Sequence, residues 1–82
     1  MKIVLYGRRG DAHTVAFKNF LNSTDEVYDY KDISVDIEAK EHTKELYAGQ
    51  LKFPTLFVDE EVYLTPTSDD FNKIMKNLNL RA

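Results

Sequence analysis

The order of hydrophobic periods along this chain constrains its fold more than any single residue does. Lys2 to Tyr6 is rich in β-branched and aromatic residues and ends at Gly7, the signature of a short buried strand followed by a loop. After "GRRG", Asp11 can cap a helix running to about Leu21, with Ala12, Ala16, Phe17, Phe20 and Leu21 on one face that is expected to be core. "NSTDE" at 22 to 26 is a polar turn, and Val27 to Ile33 alternates in part as a half-exposed edge strand would.

A second helix follows. Ser34 or Asp36 can cap it, Glu38 suits its positive end, and Gly49 stops it after about Ala48. Ile37 lies three residues after Ser34, so no capping box marks the start. The apolar positions there are few: Ile37, Ala39, Leu46 and Tyr47. "KFPTLFVDEEVYLTP" predicts a hairpin of Thr55 to Val58 and Val62 to Leu64 around an acidic turn at Asp59 to Glu61. Thr67 and Asp70 fit a capping box, and Phe71, Ile74, Met75 and Leu78 follow at helical spacing.

The order is therefore β-α-β-α-β-β-α. Parallel first strands joined by a right-handed helical crossover, then an antiparallel hairpin, make an α/β fold with a four-stranded mixed sheet and helices on both faces. A chain of 82 residues holds one hydrophobic core, so residues 1–82 are expected to form a single domain and a monomer. Apolar residues at 43% place it among folded rather than disordered sequences.

Eleven Lys and Arg against fourteen Asp and Glu give a net charge of −3, which argues against nucleic acid or anionic lipid as a partner. The longest apolar runs, such as "IVLY" at 3 to 6, fall far below the roughly 18 residues that span a bilayer. The N-terminus has no export signal, so cytoplasm is the expected location. The sequence contains no cysteine, which removes disulfides, thiolate nucleophiles and cysteine metal sites together. That absence leaves the redox compartment open.

Three segments together resemble the glutaredoxin branch of the thioredoxin fold over nearly the whole chain. "VLYGRRGDAHT" is similar to the family's first strand, loop and helix start. "YAGQLKFPTLFVDEE" is similar to its Gly, short loop, Pro, strand and turn. "LTPTSDDFNKI" is similar to the passage into its last helix, with Asp69 and Asp70 at the family's paired aspartates. The resemblance implies that Asp11 and Thr14 stand at the two cysteines of the CxxC motif and that Pro54 is the family's cis-proline. It also implies that Arg8 matches a lysine contacting the glycine carboxylate of glutathione. Phe53 would pair with an extended peptide, and the N–H groups of Ser68 and Asp69, beyond Thr67, would receive the γ-glutamyl carboxylate. The sequence departs from the family at Pro66-Thr67, where Gly-Gly is usual, and at Lys52-Phe53, where Thr-Val is usual.

Thiol-disulfide exchange needs a thiolate, and a carboxylate cannot replace it. Asp11 is most simply an N-cap, or it mimics the negative charge of the lost thiolate. The expected function is a glutaredoxin-like redox or glutathione-binding domain without oxidoreductase activity in this form, whose native counterpart carries cysteine or selenocysteine at position 11. Glutathione is then a ligand and no covalent cofactor is implied. The alternative is a non-catalytic module that binds an extended peptide or protein. An acid-base enzyme using Asp11 and His13 ranks last, since an exposed helix end offers little burial to tune either group. His13 matches the variable middle of the CxxC motif and reads as an exposed rim residue. His42, among Lys40, Glu41 and Lys44, reads as solvated, and two histidines in different elements do not make a zinc site. The five tyrosines read as packing and rim residues.

Overall fold

The computed structural model describes residues 2–77. Its elements are β1 (Ile3–Gly7), α1 (Ala12–Asn22), β2 (Tyr28–Asp32), α2 (Ile37–Leu46), β3 (Thr55–Val58), β4 (Glu61–Leu64) and α3 (Ser68–Asn77). The sheet is four-stranded in the order β2-β1-β3-β4. β1 runs parallel to β2, with Leu5 opposite Tyr30, and antiparallel to β3, with Leu5 also opposite Leu56. β3 and β4 form the hairpin, in which Val58 pairs with Glu61 so that the loop is Asp59 and Glu60 alone.

β1 lies in the middle of the sheet and is covered on both faces, which is why it reads as a continuous apolar run rather than an alternation. Ile3 and Leu5 join Leu56 and Val58 of β3 on the face that meets α1 and α3. Phe17 of α1 and Phe71 of α3 meet edge to face at 5.6 Å, and Phe20 stacks on Phe71 at 4.7 Å. Phe17 and Phe71 are both buried, and burying such a side chain contributes about 1.5–3 kcal/mol of hydrophobic stabilisation. Gly7 closes β1 where α1 crosses it: a Cβ there would run into the side chain of Thr14. The helix approaches that closely only because no side chain intervenes.

α2 covers the other face. Ala39 and Thr43 are buried, and His42, on the same side of the helix, stacks on Phe57 at 5.4 Å. Its Nδ1 lies 2.9 Å from the Tyr6 hydroxyl. His42 is thus a half-buried packing residue and not the solvated one its charged neighbours suggest; the Tyr6 hydroxyl satisfies the ring nitrogen. One other expectation on burial is corrected: Ala12 is exposed at the open tip of α1. Ile37 is 76% exposed, in the first turn of α2 and outside the Ala39–Thr43 side.

Asp36, not Ser34, caps α2, accepting from Ala39 N–H at 3.0 Å. The helix ends at Leu46, earlier than expected, because Ala48 takes the left-handed conformation (φ 54°) and Gly49 N–H reaches back to the Lys44 carbonyl at 2.7 Å. That is a Schellman closure with alanine where glycine is usual. α3 opens on a reciprocal cap: Thr67 N–H donates to Asp70 Oδ2 at 2.9 Å and Asp70 N–H to Thr67 Oγ1 at 3.2 Å. Leu78 lies outside the described residues. Among the described residues no helix is long and apolar enough to cross a membrane.

Candidate functional site

The register of the sheet gathers the candidate residues at one end. Tyr6 near the end of β1 pairs with Thr55 at the start of β3, and Thr55 pairs with Leu64 at the end of β4. The loop into α1, the loop into β3 and the passage into α3 therefore lie side by side.

The first of these is tightly bonded. Asp11 has extended backbone (φ −73°, ψ 128°) and caps α1, its Oδ2 accepting from Thr14 N–H at 2.8 Å and from the Thr14 hydroxyl at 3.0 Å. The same hydroxyl accepts from Arg8 N–H at 3.2 Å, and Asp11 N–H donates to the Arg8 carbonyl at 3.1 Å. Gly10 takes the positive φ of 84° that the turn requires. Thr14 itself is 1% exposed, so it stands behind the surface rather than on it.

The Arg8 and Arg9 side chains are exposed. Arg9 N–H donates to Asp32 Oδ2, and Asp32 is held below the usual carboxylate range first by the Ser34 hydroxyl and N–H, then by that Arg9 N–H and the Arg8 charge.

Phe53 and Pro54 are joined by a cis peptide. A cleft of about 380 Å³ opens between this segment, the tip of α1 and the start of α3, lined by His13, Phe53, Pro54, Thr65, Pro66, Thr67 and Asp69. That lies within the size range of small-ligand sites. A second depression is lined by Arg8, Arg9, Gly10, Asp11 and Phe53. Phe53 borders both, so the Asp11 side and the Pro54 side of this end lie on either side of that residue.

At the far end of the cleft, the reciprocal cap uses Thr67 and Asp70, while Ser68 and Asp69 occupy the first turn of α3. Their N–H groups precede any intrahelical acceptor and point out of the helix. The structure therefore brings Arg8, Asp11, His13, Phe53, Pro54, Thr67, Ser68 and Asp69 to one end of the molecule, and places Thr14 beneath them. Thr65 and Pro66 also line the cleft. Thr65 adopts a positive φ of 42°, unusual for a β-branched residue, and no sequence pattern marks it. Among the described residues no cluster of His, Cys, Asp or Glu is arranged to hold a metal ion.

The Glutaredoxin family model matches residues 3–63, which span β1 to the third residue of β4. The chain belongs to the glutaredoxin family. A crystal structure of a mutant of the thioredoxin-like protein BC3987 superposes with a TM-score of 0.79 at 24% sequence identity, over 96% of each chain. That likeness shows a shared thioredoxin-like fold. No curated protein matches this chain. As a glutaredoxin-family domain it is distinguished by the lack of any cysteine: Asp11 and Thr14 occupy the N-terminus of α1, so no sulfur nucleophile stands there.

Proposed function

We propose that this glutaredoxin-family domain binds glutathione, or the extended backbone of a peptide of similar shape, without exchanging thiols with it. The observation that carries the reading is that two neighbouring depressions, one lined from Arg8 to Asp11 and the other from His13 to Asp69, both border Phe53. Glutathione carries a carboxylate at either end of an extended backbone. The two depressions, together the crevice, offer Arg8 and Arg9 at one end and the N–H groups of the first turn of α3 at the other, both suited to anions.

Between them stands Asp11, a fixed carboxylate where exchange would require a thiolate. Catalysis is therefore absent in this form, and a counterpart with cysteine or selenocysteine at position 11 supplies it. The same lack of a nucleophile supports the second reading, in which the crevice holds a protein segment and no glutathione.

Titration of the labelled protein with glutathione, followed by amide chemical shifts, tests the proposal. Saturable shifts at Arg8, His13, Phe53, Thr67 and Asp69 are expected. Shifts scattered over the surface, or none up to millimolar ligand, would overturn it, and shifts there with an extended peptide alone would favour the second reading.

A further inference from the structure

We infer that Tyr47 is a positioning residue for the crevice, its hydroxyl setting the separation between the Phe53-Pro54 wall and the Thr65–Thr67 wall. Tyr47 lines neither depression. It sits at the C-terminal end of α2, where its own N–H donates to the Thr43 carbonyl at 3.0 Å. From there its hydroxyl oxygen reaches the end of the sheet, 2.7 Å from Thr55 Oγ1, and accepts from Thr65 N–H at 3.1 Å. Thr55 directly follows Pro54 and is fully buried; Thr65 directly follows β4 and precedes Pro66.

The position of this bond explains why a side chain is needed. The β3–β4 pairing ends with Thr55 opposite Leu64, so the next position in register sets Pro54 against Thr65. Thr65 leaves the ladder there at its positive φ, so its N–H takes an acceptor other than a strand carbonyl. A tyrosine hydroxyl has one proton and two lone pairs, so it accepts from Thr65 N–H and still shares a hydrogen with Thr55 Oγ1. One oxygen thus ties together the two chain segments that become the crevice walls, and it holds Thr65 at its positive φ.

The binding part of this inference rests on the proposed function, but the positioning part has its own readout. Tyr47→Phe keeps the ring and removes the link. It is expected to displace the Phe53, Thr65 and Thr67 amide resonances, to speed Thr65 amide exchange, and to weaken glutathione binding roughly fivefold, the loss typical of one hydrogen bond. Thr55→Val should reproduce these effects and Thr55→Ser should not, a pair that carries the comparison even if Tyr47→Phe fails to fold. A lower melting temperature with unchanged affinity and unchanged crevice resonances would overturn the inference, since that is what a purely structural contact predicts. If the parent does not bind glutathione, the proposed function falls, and the crevice resonances of Tyr47→Phe alone decide for or against Tyr47.

Discussion

Asp11 and Thr14 form a closed pair: one carboxylate oxygen, Oδ2, accepts both the Thr14 N–H at 2.8 Å and the Thr14 hydroxyl at 3.0 Å. The pair ends α1 and orders the Arg8–Gly10 loop through the bond from Arg8 N–H to Thr14 Oγ1. Asp11→Ala leaves the helix N-terminus without its acceptor and should cost about 1 kcal/mol, whereas Asp11→Asn, itself a good cap, should cost little. Urea denaturation of the three proteins checks the ranking.

The same two donors would act on sulfur. A thiol introduced by Asp11→Cys meets the Thr14 N–H, the Thr14 hydroxyl and the positive end of α1, all of which favour its anion. Its alkylation by iodoacetamide should therefore titrate below the ordinary value of about 8.5. The variant should also gain glutathione-dependent disulfide reduction. An ordinary or raised thiol pKa with no gained activity would count against reading the tip of α1 as a vacated nucleophile position.

Gly7 has no room for a side chain. Gly7→Ala drives a methyl group into buried Thr14 and should destabilise by about 1–3 kcal/mol, the usual cost of overpacking. Thr14→Ala in the same chain opens that space, so the double variant should lose less than the two single losses added together. A thermal-denaturation cycle measures the coupling.

Acid should weaken the start of α3 through Asp70. Its carboxyl is held below the ordinary value of 3.8, first by the Thr67 N–H, then by the Thr67 hydroxyl, with Lys73 adding a smaller effect. A carboxyl whose pKa is lowered by folding contributes stability above its unfolded value. That contribution is lost as pH falls below 3.8 through the folded value. Asp70→Asn should flatten the acid limb of the stability profile, measured by urea midpoints as pH is lowered.

At the other extreme, Tyr6, Tyr28 and Tyr30 are each held above the ordinary 10.0, burial being the first cause in all three. The charges of Asp36 and Glu38 add to it for Tyr6, and those of Asp32 and Asp11 for Tyr30. For a group whose pKa is raised by folding, the contribution is complete below the unfolded value and is lost as pH rises through the folded one. Stability should therefore decline above pH 10, and the ultraviolet tyrosinate titration should show late components that Tyr6→Phe, Tyr28→Phe and Tyr30→Phe each remove.

The order of elements was legible because each strand and helix carries its own local signal: β-branched runs for β1 and β3, and a capping box for α3 that appears in the structure as the Thr67–Asp70 pair. Asp11 as cap of α1 was legible for the same reason. What escaped reading depends on partners far along the chain. His42 looks solvated beside Lys40, Glu41 and Lys44 until Tyr6 and Phe57 arrive from the sheet. Thr14 and Thr43 are buried although threonine carries no strong burial preference, because each satisfies its hydroxyl locally, on Asp11 and on the Ala39 carbonyl. Thr65 and Tyr47 left no signal in the sequence, since their roles follow from the register of β3 against β4.

All the crevice residues sit on connecting segments or helix starts at one end of the sheet, while the residues that fill the interior between sheet and helices lie behind them. Chemistry and architecture are consequently written in separate parts of the chain. The residue at position 11 can be exchanged without disturbing a single aromatic of the interior, so the chemistry of this end can change by one codon while the fold remains itself.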